Sequence, residues 1–312
     1  MSLVPRVAMV LAAAVGAGCG GGPVAPAPGP LKVVATTTIV ADLVAQIGGE
    51  DVTLQALMGP GVDPHLYKPT AGDVWRLSSA RVVFFSGLHL EGKMGEVFAE
   101  MARRGVPTVA VADCIPESEL ITSKGFSGVH DPHVWFDVSL WSHAAECVRD
   151  ALADLDPDHA AAYRGRAAAY VAELAVLDGW VREQAAALPA ERRVLVTAHD
   201  AFSYFGRAYG FEVRGLMGVS TAAEAAASDV QRLAELIAGR RIPAIFVESS
   251  VSPRFIKALR EAVAARGFEV AIGGSLYSDA LGDPDGPSAT YAGMVRSNVE
   301  TITGALTERA GG

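Results

Sequence analysis

The chain has 312 residues, half of them hydrophobic, with 26 basic against 35 acidic side chains and a net charge of −9. That acidic balance argues against a nucleic-acid partner, whose phosphates call for clustered lysine and arginine. Three cysteines are too few for a disulfide framework, and the length allows one large domain or two of ordinary size.

Residues 7–18, VAMVLAAAVGAG, follow Arg6 as an apolar stretch too short to cross a bilayer, ending in small residues before Cys19. This predicts an export signal over residues 1–18. The run Gly16-Ala17-Gly18-Cys19 resembles a lipobox, whose cysteine becomes the lipidated first residue of the mature chain, although Gly16 stands where leucine or valine is usual. The alternative is ordinary secretory cleavage with an incidental cysteine. Residues 19–30 are rich in glycine and proline and cannot bury an apolar face, so they predict an extended tether. Without residues 1–18 the body keeps 25 basic and 35 acidic residues, a net charge of −10.

From Leu31 the pattern alternates between short β-branched runs and longer helical stretches. Strands are expected at 32–38, 52–57, 81–85 and 108–112, each bounded by turn residues. Helices are expected between them at IVADLVAQIG, AGDVWRLSSA and GEVFAEMARRG, the last stopped by Gly105. Residues 157–190 are alanine-rich with no β run and predict one helix of about 30 residues, some 45 Å long. Strands are then expected at 193–198, 211–217, 244–249 and 268–273, with helices between and after them. The expected fold is α/β, with two lobes that each hold a mostly parallel sheet flanked by helices and a core of its own. They span 31–154 and 191–312, joined by a long rigid helix within 155–190. Cys114 at a strand end and Cys147 in a helix are expected to be two buried free thiols rather than a bridge.

His65, His133, His199 and Asp279 each end a short apolar run beside turn residues, and three imidazoles with one carboxylate make a tetrahedral set for a borderline divalent cation. His65, His199 and Asp279 follow expected strands, where open parallel sheets place their ligands. Two donors from each half put the site in the cleft between lobes. Asp63-Pro64 precedes His65 and Asp131-Pro132 precedes His133, so each ring leaves a stiff backbone. His130 competes with His133 for the role, and Trp135 and Phe136 favour His133 by excluding water. His89, His143 and His159 lack an apolar escort and read as surface or capping residues. Asp279 could instead cap the segment after it. Asp63, Asp131, Asp200 and Glu248 are placed to support the ligating rings.

The strings GPGVDPHLYKPTAGDV, DPHVWFDV, VLVTAHDAFSYFGRAYGFEV, PAIFVESS and IGGSLYSDALG resemble motifs of the cluster A-I metal-binding proteins of bacterial ABC importers, most closely the TroA-type members. The resemblance covers essentially all of residues 31–309. It implies two lobes on one rigid helix, Zn²⁺ or Mn²⁺ as the transported ligand, and His65, His133, His199 and Asp279 as its ligands. It also implies an ABC permease with its ATPase as partners, a monomer, and a lipid anchor at Cys19 facing the periplasm or cell exterior. Manganese-selective relatives often carry glutamate where this chain has His199, whereas zinc-dedicated relatives often carry a histidine-rich loop that CIPESELITSKGFSGV lacks. These departures pull in opposite directions and leave both metals open.

Two other functions compete. A zinc hydrolase needs three protein ligands, an open fourth position and a general base, and the sequence has neither HExxH nor a G-x-S-x-G elbow around Ser203. An envelope-anchored adhesin would use metal only structurally, so removing the metal would unfold it.

Overall fold

The computed structural model describes residues 29–122 and 130–307. Cys19, the export segment and most of the tether lie outside the described residues. Among the described residues, no helix is long and apolar enough to cross a membrane.

The first lobe begins with β1 (Leu31–Ala35), α1 (Thr38–Gly48) and β2 (Val52–Ala56). The threonine run after β1 is not strand, because Thr37 accepts from Val40 N and caps α1. Then come α2 (Ala71–Ser79), β3 (Val82–Phe85), α3 (Gly95–Arg103) and β4 (Thr108–Ala110), and the four strands form one parallel sheet in the order β2-β1-β3-β4. Gly105, at φ 79°, takes the left-handed turn after α3 that a side chain would resist.

Helix α4 (Val138–Leu155) leads into α5 (Ala160–Ala186), whose 27 residues span about 40 Å. One stripe of α5 is buried, at Tyr163, Ala167, Tyr170, Leu174, Leu177 and Val181, in alternating steps of three and four residues. It packs against α1, α4 and helices of the second lobe. The second lobe comprises β5 (Val194–Thr197), α6 (Ser203–Tyr209), β6 (Glu212–Gly215), α7 (Ala227–Arg240), β7 (Ala244–Glu248), α8 (Arg254–Ala264), β8 (Ala271–Leu276) and α9 (Tyr291–Thr307).

The second lobe's strands are parallel as expected, in two pairs, β5-β6 and β7-β8, with β5 lying beside β7. Three expectations are corrected. Strand β8 runs three residues later than expected: Gly273 is an extra, unpaired residue between the partners of Ile245 and Phe246, Gly274 beside it takes φ 141°, and pairing continues to Leu276.

The lobes also do not have wholly separate cores. Small clusters are confined to each lobe, but the largest one runs from Val33 and Leu43 through α5 to Phe202, Phe246, Leu276 and Ile302.

Finally, Cys114 and Cys147 form a disulfide. The short 3-10 helix Val111–Cys114 packs on α4, which brings the two Cα atoms to 5.8 Å, within bridging range.

Candidate metal centre

The loop after β2 carries His65. Its far end is pinned by Asp73, which accepts from Tyr67 Oη at 2.8 Å and from Thr70 N and Oγ1 at 2.8 and 2.7 Å while Thr70 caps α2. Asp63 Oδ1 accepts from His65 N at 2.9 Å across the intervening proline. The Asp-Pro-His at 131–133 repeats the device, with Asp131 Oδ1 accepting from His133 N at 2.9 Å. His199 follows β5, and its N–H donates to Glu248 Oε1, at the end of β7, at 2.8 Å. A carboxylate therefore holds the backbone N–H of each of the three histidines. Asp279 follows β8, and its Oδ2 accepts from Ser250 Oγ at 3.0 Å, leaving Oδ1 without a hydrogen-bond partner.

The four side chains converge. His133 Nε2 lies 3.3 Å from His199 Nε2 and 3.3 Å from Asp279 Oδ1, and His199 Nε2 lies 3.5 Å from the same oxygen. With His65, whose buried Nε2 has no partner, one ligand atom from each residue falls within 4.8 Å of the others. His133 and His199 are fully buried, Asp279 is 1 % exposed and His65 5 %. Trp135 meets the His133 ring edge-on at 5.3 Å, and Phe136 packs on Phe202 behind it.

Of the four supporting carboxylates, two reach the rings. Asp131 Oδ1 is 2.8 Å from His133 Nδ1, and Glu248 Oε2 is 2.5 Å from His199 Nδ1. The hydrogen bond to Asp131 holds the His133 proton on Nδ1 and turns Nε2 inward, whereas at His199 the close approach of Glu248 favours the same arrangement by charge, without hydrogen-bond geometry. Asp63 orients only the backbone of His65. Asp200 accepts from Ser203 Oγ at 2.8 Å and makes no contact with a ligating ring, because its side chain turns toward the start of α6. Ser250 has no sequence signature, and only the fold shows that it occupies one oxygen of Asp279.

The remaining histidines lie apart. His130 is half-buried, 3.9 Å from Glu117. His89 adopts a left-handed backbone, φ 65°, beside a cavity, His143 lies on α4, and His159 pairs with Asp156 at the start of α5.

The electrostatics are divided. Burial drives the His65 imidazole down to about 3. Burial also opposes charge on His133, but Asp131 and Asp279 outweigh it and raise the ring to about 9. His199 goes the same way, raised well above the usual imidazole range against burial by Glu248 and Asp279. Asp279, despite burial, is held well below the usual carboxylate range by His199 and His133. His133 and His199 thus hold protons beside Asp279, and a divalent cation would replace them.

The family profile described as zinc-uptake complex component A, periplasmic, matches residues 33–305. The chain is 53% identical over 282 residues to the zinc-binding protein TroA of Treponema pallidum (strain Nichols), covering 90% of this chain and 91% of that protein. It is 48% identical over 276 residues to the manganese-binding lipoprotein MntA of Bacillus subtilis (strain 168), covering 88% and 90%. The solved structure of the periplasmic zinc-binding protein TroA from Treponema pallidum superposes with a TM-score of 0.87 at 53% identity, over 89% of this chain and 99% of that one.

Proposed function

This chain belongs to the family of zinc-uptake complex component A, and on that premise we propose that it captures Zn²⁺ or Mn²⁺ between its lobes and delivers the ion to the permease of an ABC importer. The ligands are His65, His133, His199 and Asp279. The observation that carries the reading is the convergence of three imidazole nitrogens and one unpartnered carboxylate oxygen in a buried pocket.

The donor set favours Zn²⁺ over Mn²⁺. In a tetrahedron with bonds of about 2.0–2.1 Å, the donors stand about 3.3 Å apart. Three of the six separations here are 3.3, 3.3 and 3.5 Å. Ser250 occupies Oδ2 of Asp279, which supports one-oxygen coordination and a total of four donors, where Mn²⁺ favours more oxygens and octahedral geometry. Four protein donors in a tetrahedral site leave no open position for a reactive water, which supports transport over catalysis.

The mature chain begins at a lipidated Cys19, is tethered to a membrane outside the cytoplasm, and acts as a monomer. The Cys114–Cys147 disulfide supports an oxidising compartment.

Elemental analysis of protein purified without added metal, with chelator competition for Zn²⁺ and Mn²⁺, tests the site. One Zn²⁺ or Mn²⁺ per chain is expected, and a chain that binds neither rejects the reading. Intact mass of the membrane fraction tests the anchor: a diacylglycerol-modified Cys19 is expected, and an unmodified chain cleaved elsewhere removes it.

A further inference from the structure

Three of the four donors are tied into one body. The segment carrying His133 belongs to the first lobe by sequence but bonds to the second. Trp135 Nε1 donates to Ser278 O at 3.1 Å, Tyr291 Oη donates to Trp135 O at 2.7 Å, and Tyr204 Oη donates to Asp131 O at 3.0 Å. His133 is thereby held with His199 and Asp279. His65 is attached differently. Among the described residues, the segment 59–70 makes a single hydrogen bond to the second lobe, from Thr221 Oγ1 to Asp63 Oδ2 at 2.6 Å. The other oxygen of that carboxylate holds His65 N.

Thr221 lies in the irregular stretch between β6 and α7. A cavity of about 580 Å³ is walled by the residues on either side of it, from Leu216 to Ala225, and of the four donors only His65 lines it. The path between metal and solvent therefore runs past His65 and under the loop that Thr221 fastens.

We propose that Thr221 is a positioning residue whose hydroxyl latches the His65 segment to the second lobe through Asp63 and so sets the rate at which bound metal leaves. With the bond made, one carboxylate fixes the loop on one side and the His65 backbone on the other. With it broken, His65 withdraws with its segment, and the ion keeps three donors and gains an open position facing the cavity. This rests on the reading that the four residues bind metal.

The test is the release rate of Zn²⁺ into excess chelator, followed by stopped flow, for the wild-type chain, Thr221→Val and Thr221→Ser. Valine keeps the shape of threonine and removes the donor, whereas serine keeps the donor. A hydrogen bond to a charged group is strong enough that its loss should speed release by about tenfold or more in Thr221→Val. Thr221→Ser should release near the wild-type rate, with both metal-free variants still folded by circular dichroism. Release from Thr221→Val at the wild-type rate, or from Thr221→Ser as fast as from Thr221→Val, overturns the latch and leaves the metal site standing. A wild-type chain that takes up no zinc overturns the site itself.

Discussion

Asp131 grips His133 twice with one oxygen, Oδ1 accepting from the backbone N–H at 2.9 Å and lying 2.8 Å from ring Nδ1. Glu248 divides the same task at His199 between its two oxygens. A ring held at backbone and Nδ1 has lost its freedom to turn before metal arrives, so coordination costs less ordering entropy.

Replacing Asp131→Asn keeps the size and removes the charge that fixes the Nδ1 proton. Zinc affinity should fall about ten- to a hundredfold, with the fold retained. Competition titration with circular dichroism measures both, and an unchanged affinity would show that His133 needs no orienting partner.

His199→Glu exchanges a nitrogen donor for a hard oxygen and sets a second carboxylate beside Glu248. Zinc affinity should drop by about tenfold or more and the Zn/Mn preference should move toward manganese. Titrating both metals into wild type and variant decides it: a constant ratio means that His199 does not set selectivity.

Binding should strengthen with pH. The metal-free His133 ring sits at about 9 and His199 well above its usual range, so at neutral pH both carry protons that the ion must displace. His65, at about 3, carries none. Apparent affinity should therefore rise about ten- to a hundredfold per unit between pH 6 and 8, with protons released on binding. The window lies above the pH 6 to 7 that unperturbed imidazoles would give. Calorimetry in buffers of different ionisation enthalpy counts the protons, and a flat response would falsify ligation by His133 and His199.

Breaking the Cys114–Cys147 bridge, whose ends lie 33 positions apart in sequence, should lower the stability of the metal-free chain by about 2–4 kcal/mol. Thermal melts of a Cys114→Ser/Cys147→Ser variant test this. Zinc affinity should change little, because the bridge pins the segment before α4 and touches no ligand. An equal loss in binding would place the bridge within the site's support.

The four side chains that converge could be picked out from sequence because each has a local signature, an Asp-Pro-His or a strand end followed by a turn. The same strand ends pointed to Glu248, since parallel neighbours finish at the same edge. Asp200 was misjudged because adjacency along a chain says nothing about which way a side chain turns, and at the start of α6 it meets Ser203. The disulfide escaped because two cysteines in different elements carry no register until the 3-10 helix packs on α4. Ser250 and Thr221 had no signal: each is a common loop residue whose role exists only once a partner far along the chain arrives.

The largest hydrophobic cluster, continuous through α5 from β1 to α9, gives both lobes a common interior. Separating them widely would expose that interior to water, which opposes any wide opening of the cleft. If metal is released as proposed above, cargo status would be displayed by little more than one loop and one imidazole. A membrane receptor that reads the outer contour would dock empty and filled molecules on nearly equal terms, and an excess of empty carriers would throttle uptake.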